Sequence, residues 1–132
     1  MDKTMEGVTE NSIKKLVYDF YRKVRADVEL APVFDNVIGV TDEEWEEHLD
    51  KMVDFWSSVM LTTGKYHGNP LQKHRDIPSF DIKLFDRWLE LFVETVKEIH
   101  SGPAEDEYIE KSRRIAESLK LGIYYRPDFP VV

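Results

Sequence analysis

The residues of this sequence best suited to metal chemistry are two histidines in one polar stretch. The stretch runs from Tyr66 to Pro78 between two strongly apolar helical patterns, with His67 near its start and His74 further along. A neutral imidazole nitrogen can donate its lone pair to a metal ion. A lone histidine near a helix junction is more often an exposed surface residue. The role of His74 therefore has to be inferred from the rest of the chain.

Three further side chains with polar tips fall on apolar helical faces. Tyr21, His48 and Trp88 each lie on or beside the buried stripe of a different predicted helix. A purely structural core favours Leu or Ile there, because a buried hydroxyl or ring nitrogen needs a hydrogen-bond partner. The pattern indicates a cavity with polar side chains on one side and the imidazole of His74 on the other.

The elements that must position these side chains are helices. Apolar residues at intervals of three and four predict a first helix from Thr9 or Asn11 to about Val28. Because a proline disfavours the helical conformation in the residue before it, Ala31-Pro32 should stop that helix. Residues 33–38 then predict a short apolar bend ended by a glycine.

The next two helices carry His48 and Trp88. A capping box at Thr41 starts the second, and Gly64 is its expected left-handed terminator. Ser79 or Asp81 caps the third, which Gly102-Pro103 ends.

A fourth helix over about residues 104–121 completes an all-α pattern. Residues 1–8 and 123–132 are expected to be loose tails, so that residues 1–132 form a single domain. The length of 132 residues supports one core.

Composition excludes several classes of function. The chain has no cysteine, which rules out disulfides, thiolate ligands and thioether attachment of a cofactor. A formal net charge of −8 disfavours nucleic-acid binding, which depends on a basic face. No apolar run approaches the length of a membrane span, and the N-terminus carries no secretory signal pattern. We therefore expect a soluble, cytoplasmic protein that binds neither nucleic acid nor membrane.

Six short motifs in one order carry a resemblance to a known family. They are Phe20-Tyr21, Pro32-Val-Phe34, Trp45-Glu-Glu-His48, Phe55-Trp56, Tyr66-His-Gly-Asn-Pro70 followed by His74 and Ile77-Pro78, and Phe85-Asp-Arg-Trp88-Leu-Glu-Leu-Phe92. From about residue 12 to residue 121 the chain resembles the truncated haemoglobins, and most of all their third group. The resemblance implies a shortened globin in which two antiparallel helix pairs stack two over two around haem b.

The resemblance also implies roles for individual residues. His74 would be the proximal ligand of the iron, and Tyr21, His48 and Trp88 would line the ligand pocket on the opposite face. Phe34 would pack against the porphyrin, while the stripe positions predict further wall residues and the polar stretch predicts partners for the haem propionates. The predicted wall residues are Met52, Phe55 and Phe92, and the predicted propionate partners are Lys73 and Arg75. His67 is a competing ligand, which we disfavour because it lies beside Gly68 in a turn expected to face water.

A pocket of this kind would retain oxygen strongly. Each hydrogen bond to a charged acceptor contributes about 1.5–3 kcal/mol, so two donors would slow oxygen release by on the order of a hundredfold or more. Such a protein is a poor oxygen carrier and better suited to reaction of oxygen with nitric oxide, or to peroxidase-like chemistry. Because the chain has no flavin or nicotinamide fingerprint, either cycle would need an external reductase.

Two other interpretations compete with this one. The aromatic stripes could be the core of a metal-free helical interaction module with an acidic surface. The histidines could instead join glutamates in a non-haem metal-carboxylate bundle. No Glu-x-x-His pair faces inward on two helices as such sites need, since Trp45 stands three residues before His48.

Overall fold

The computed structural model describes residues 7–68 and 81–124, and the fold of these residues is all-α. The helices are α1 (Glu10–Ala26), α2 (Ala31–Ile38), α3 (Asp42–Leu61), α4 (Lys83–Ile99) and α5 (Gly102–Tyr124). Helix α1 packs against α3 and α4, α5 packs against α4, and the short α2 contacts α1 and α3. In the described ranges, no helix has the length and apolar character needed to cross a bilayer.

Helix α1 lies at the centre of this packing. Thr9 and Ser12 form a reciprocal capping box in which each backbone N–H donates to the other side chain, at 3.0 and 2.9 Å. The predicted stripe of α1 is buried, with Ile13, Leu16 and Val24 fully inaccessible to solvent. The buried stripe fixes which face of α1 points inward, and therefore the direction of Tyr21.

The predicted bend at residues 33–38 is wrong, because these residues form part of helix α2. Pro32 lies in the first turn of α2, where its missing N–H has no intrahelical role and its fixed φ suits a helix. Asp27 holds the corner before α2 by accepting the backbone N–H of Leu30 at 2.9 Å. Gly39 ends the helix with φ of +120°, as the sequence predicted for a glycine there.

Helix α3 begins as predicted and ends earlier. Thr41 accepts the N–H of Glu44 at 3.2 Å, and the Glu44 carboxylate accepts the N–H of Thr41, which confirms the capping box. The left-handed residue at the C-terminus is Thr62, with φ of +54°, and Gly64 adopts positive φ only two residues later. The Thr62 hydroxyl donates to the carbonyl of Leu61 at 2.6 Å, a local bond that offsets the strain of this conformation.

The boundaries of α4 and α5 differ in detail from those predicted. Asp81 accepts the N–H of Lys83 at 2.9 Å at the start of α4, whereas Ser79 lies outside the described residues. Gly102 and Pro103 separate the two helices as expected, but both already belong to α5. Helix α5 continues to residue 124 and so includes residues 123 and 124, which the sequence assigned to a tail.

An ion pair between the partly exposed Arg87 and the buried carboxylate of Asp27 ties the end of α1 to α4. Arg87 approaches Asp27 with its Nη2 atom at 2.7 Å and its Nε atom at 2.8 Å from Oδ1. Burial pushes the pKa of Asp27 upward, but the hydrogen bonds from Arg87 and from the N–H groups of Leu30 and Glu29 outweigh it and lower that pKa. Asp27 therefore remains ionised, and it holds together the helix ends next to Tyr21 and Trp88.

Candidate functional site

A cavity of about 560 Å³ opens among the helices. This volume falls within the roughly 300–1,000 Å³ of small-molecule and cofactor sites. Most of its lining is apolar or aromatic, contributed by every helix and by the α1–α2 corner. The lining includes Leu30, Val33, Phe34, Val37 and Ile38 on one side, Met52, Phe55 and Trp56 from α3, and Leu84, Phe85, Ile115, Ala116 and Leu119 from α4 and α5.

The three polar-tipped residues singled out from the sequence meet at this cavity. Tyr21 from α1, His48 from α3 and Trp88 from α4 all line it. The rings of Tyr21 and His48 stand edge to face with centroids 5.1 Å apart. Trp88 lies close enough to the Tyr21 hydroxyl to lower the pKa of Tyr21 as a potential hydrogen-bond donor. Helix packing thus brings together side chains that are far apart in the sequence.

Tyr21 is held as a neutral phenol in this setting. Its side chain is only 5% exposed, and burial raises its pKa well above the ordinary value, by more than the nearby Trp88 donor lowers it. The neutral hydroxyl keeps its proton, which it can donate to an acceptor inside the cavity.

His48 lies at the border between the cavity and solvent. It is half-buried, and its ring stands edge to face against Trp45 at 5.7 Å as well as against Tyr21. The indole N–H of Trp45 donates to the carbonyl oxygen of Gly39 at 3.0 Å. The Trp45 donor is therefore engaged with the backbone, whereas Tyr21, His48 and Trp88 line the cavity.

The predicted wall residues divide into two groups. Phe34, Met52 and Phe55 line the cavity. Phe92 lies one layer behind it, fully buried, with its ring stacked on Trp88 at 5.4 Å and on Trp56 at 4.8 Å. Phe92 therefore supports two residues of the lining from behind.

The predicted ligand and both predicted propionate partners fall outside the described residues. These are His74, Lys73 and Arg75. His67 is within them, and its side chain is exposed in the segment after α3. That exposure agrees with the view that His67 faces water.

Sequence reasoning missed a cation at the cavity mouth. Lys51 lines the cavity near Glu44 and Glu47, and its Nζ lies 3.7 Å from Glu47 Oε1. Lys51 follows His48 by three residues and therefore lies on the same side of the helix. This spacing could have identified Lys51 as a neighbour of the cavity. Tyr66, named at the start of the polar stretch but given no role, also lines the cavity and stands edge to face against Phe55 at 5.2 Å.

The lining fits haem in three respects. Its size suits a cofactor, its walls suit a flat apolar ring, and Lys51 at the mouth suits a group with acidic side chains at one edge. Within residues 7–68 and 81–124, no three His, Cys, Asp or Glu side chains come together as a metal-binding group. The described part of the chain thus gives no support to a metal-carboxylate site.

Comparisons with known proteins agree with this geometry. The family model for bacterial-like globins matches residues 6–120. The chain is 39% identical over 119 residues to a Campylobacter jejuni protein named group 3 truncated hemoglobin ctb, covering 90% of this chain and 94% of that protein. It also matches the crystal structure of the group III truncated hemoglobin from Campylobacter jejuni with a TM-score of 0.89 and 38% identity, covering 92% of this chain and 95% of the other.

Proposed function

This chain belongs to the bacterial-like globin family and, within it, to the group III truncated haemoglobins, and on that premise we propose how its cavity works. Membership of a globin family supports binding of haem and of diatomic ligands. We infer that the haem is haem b, since the chain has no cysteine for covalent attachment. His74 is the proposed iron ligand, and Tyr21, His48 and Trp88 are the proposed contacts of the diatomic ligand.

The meeting of Tyr21, His48 and Trp88 at one largely apolar cavity is the observation that carries this proposal. Bound haem would supply an iron that takes oxygen or nitric oxide inside the cavity. We propose that Trp88 donates to the Tyr21 oxygen, so that the Tyr21 O–H directs its proton toward the ligand. A hydroxyl already oriented in this way needs little rearrangement of the surrounding side chains when a polarised ligand binds.

His48 has a different part in the proposed pocket. Its ring touches Tyr21 on the side nearer to solvent. We assign it a second hydrogen bond to the ligand, or control of the path between cavity and solvent. Lys51, together with the predicted Lys73 and Arg75, is proposed to pair with the haem propionates.

Strong retention of oxygen favours chemistry over transport. Donors worth about 1.5–3 kcal/mol each would hold oxygen too long for delivery to another site. We propose that the protein reacts oxygen with nitric oxide, or peroxide with a reductant, in the cytoplasm. A separate reductase would restore the ferrous state, since the described residues form one helical unit around a single proposed cofactor.

Replacement of each candidate ligand tests the proposal. The wild-type protein with haem should give an intense Soret band and the ferrous spectrum of an imidazole-ligated haem. His74→Gly should lose that ferrous spectrum and regain it when free imidazole is added. His67→Gly is the matched control from the same stretch and should behave as wild type.

Two results would overturn the assignment. One is a wild-type protein that takes up no haem. The other is a reversal of roles, in which His67→Gly loses the ligated spectrum while His74→Gly keeps it.

A further inference from the structure

Trp45 is a buried residue that contacts the cavity lining from behind. Its side chain is 1% exposed, and it is not itself among the described residues that line the cavity. The ring of Tyr21 lies against the Trp45 ring with centroids 6.0 Å apart, tilted by 54°. The ring of His48 meets the Trp45 ring edge to face at 5.7 Å. Trp45 therefore provides the surface on which both of these lining residues pack.

The rings of Tyr21, His48 and Trp45 form a closed set in which each ring contacts the other two. The ring of His48 is nearly perpendicular to both of its neighbours, at 89° to Tyr21 and 87° to Trp45. Edge-to-face contacts of this kind are favoured by the charge distribution of aromatic rings. A rotation of one ring would disturb its contacts with the other two, so the orientations of Tyr21 and His48 depend on that of Trp45.

A hydrogen bond to the backbone fixes the Trp45 ring. Its indole N–H donates to the carbonyl oxygen of Gly39 at 3.0 Å. Gly39 belongs to the turn between α2 and α3, which the capping box of Thr41 and Glu44 closes. Gly39 has φ of +120°, and a Cβ at this position would meet the Glu44 carboxylate. The turn therefore holds the acceptor in one place, and the acceptor holds the Trp45 ring.

An exposed cation also packs on the Trp45 ring. The guanidinium carbon of Arg25 lies 4.8 Å from the ring centroid, within the distance at which a guanidinium is attracted to an indole face. The Nη1 atom of Arg25 also lies 3.6 Å from Oδ1 of Asp42, whose side chain is 99% exposed. Arg25 thus connects the surface at the end of α1 to a ring that contacts two residues of the cavity lining.

We propose that Trp45 is a positioning residue that sets the orientation of Tyr21 and His48 toward oxygen bound in the cavity. Gly39 and Arg25 hold Trp45 in turn. The proposal rests on the ligand contacts that the proposed function assigns to Tyr21 and His48. A hydrogen bond weakens steeply as its donor angle departs from linearity, so freer rotation of these two side chains weakens their bonds to a polar ligand. Trp45 thereby controls the release of oxygen without contacting it.

Two ligands of similar size separate positioning from packing. Polarised oxygen depends on hydrogen-bond donors in the pocket, whereas carbon monoxide carries little charge and depends on them much less. Trp45→Phe keeps an aromatic ring but loses the indole N–H. In the haem-loaded ferrous protein, stopped-flow oxygen dissociation should be roughly three- to tenfold faster in this variant, as partial loss of a hydrogen bond predicts. Carbon monoxide should dissociate at nearly the wild-type rate.

Arg25 and Asp42 provide a matched comparison at the surface. Arg25→Gln removes the cation from the Trp45 face and breaks the ion pair with Asp42, whereas Asp42→Asn breaks the ion pair alone. Oxygen should dissociate about twofold faster in Arg25→Gln, in keeping with the strength of an exposed cation–π contact, and at the wild-type rate in Asp42→Asn. Circular dichroism and the Soret band establish that each variant folds and holds haem.

A double variant tests whether Trp45 acts through Tyr21. Trp45→Phe should speed oxygen release by a smaller factor when it is added to Tyr21→Phe than when it is added to wild type, because the hydroxyl that it orients is already missing. Equal factors in the two backgrounds would contradict an action through Tyr21.

The outcomes distinguish this proposal from the one on which it rests. If Tyr21→Phe releases oxygen at the wild-type rate, the ligand contact of the proposed function is wrong. If Tyr21→Phe speeds release but Trp45→Phe does not, or if Trp45→Phe speeds the release of both ligands equally, the positioning role of Trp45 alone is contradicted. If Trp45→Phe fails to hold haem, the surface pair decides, and equal rates in Arg25→Gln and Asp42→Asn contradict the proposal.

Discussion

Two buried tyrosines have different surroundings, one at the cavity wall and the other in the core behind it. Tyr21 and Tyr108 are both withdrawn from solvent, and burial raises the pKa of both. Tyr21 lines the cavity beside the Trp88 donor, which lowers its pKa. Tyr108 lies in the packed core, and its oxygen has no hydrogen-bond partner within the described residues.

Depth of burial therefore does not determine what a tyrosine can do. A hydroxyl beside a cavity can donate its proton to a ligand, whereas a hydroxyl without a partner in the packed core destabilises the fold. Substitutions in each region test this contrast.

The largest effect on stability is expected from truncating Phe92, whose ring packs against both the cavity wall and the core. Phe92 is fully buried between Trp88 and Trp56, so Phe92→Ala should lower the free energy of unfolding by about 3–5 kcal/mol. Phe55→Ala at the cavity lining should cost the haem-free protein clearly less, because Phe55 already borders open space. Denaturant unfolding of both variants measures this. Equal losses would show that the cavity wall is packed as tightly as the core.

The next effect concerns ligand release. Tyr21→Phe removes the proposed donor, so oxygen should dissociate roughly ten- to a hundredfold faster, equivalent to about 1.5–3 kcal/mol. Trp88→Phe should produce part of that increase by releasing the Tyr21 hydroxyl. Stopped-flow oxygen dissociation with the double variant tests whether the two residues act through one another. Strictly additive effects would mean that Trp88 and Tyr21 act independently.

A smaller effect is expected at the ion pair that holds both regions in place. Asp27→Asn should destabilise the protein by about 1–2 kcal/mol at neutral pH through weaker hydrogen bonds to Leu30 and Arg87. Because the folded pKa of Asp27 is lowered, its contribution is complete above the unfolded pKa of about 3.9 and is lost as pH falls through the folded pKa.

The free energy of unfolding, measured from pH 7 downward, tests whether the pKa of Asp27 is lowered by folding. The gap in stability between wild type and Asp27→Asn should narrow in acid. Asp106→Asn, at an exposed position on α5, is the control and should leave stability unchanged. A gap that widens in acid would contradict the proposed direction of the pKa shift.

The smallest effect is expected at the second tyrosine. Tyr108→Phe removes a hydroxyl that has no partner in the described structure, so stability should change by less than about 1 kcal/mol or increase. Tyr21→Phe should lower stability, since the Tyr21 hydroxyl lies beside the Trp88 donor and the variant removes the acceptor that the proposal assigns to it. Thermal unfolding of the two haem-free variants compares them directly. A large loss in Tyr108→Phe would reveal a hydrogen bond to that hydroxyl.

Local signals in the sequence predicted most of the fold. The Thr41 capping box and the apolar stripes of α1 identified helices and their buried faces, because both depend on residues three or four apart. The eight-residue helix α2 was taken for a bend, since Pro32 can either stop one helix or start the next. Helix α3 ends at Leu61, before the expected terminator Gly64, because a hydrogen bond from the Thr62 hydroxyl to the Leu61 carbonyl stabilises Thr62 in the left-handed conformation.

The site was harder to predict than the fold. Helical periodicity identified Met52, Phe55 and Phe92 as inward-facing, but it carries no information on whether the space they face is a cavity or another side chain. Phe92 faces the rings of Trp88 and Trp56 and not the cavity. Tyr21 and Trp88 are 67 positions apart in the sequence, so only the packing of α1 on α4 shows that they are neighbours.

The central claim is that haem occupies the cavity between α3 and α5, and titration of the haem-free protein with haem tests it most directly. Ala116 lines that cavity and is 3% exposed, so Ala116→Trp would fill it, whereas Ala26→Trp adds the same side chain at an exposed helix end. We expect wild type and Ala26→Trp to saturate the Soret band at equimolar haem, and Ala116→Trp to remain helical by circular dichroism while binding none. Unchanged haem binding by Ala116→Trp would place the cofactor elsewhere and contradict the account.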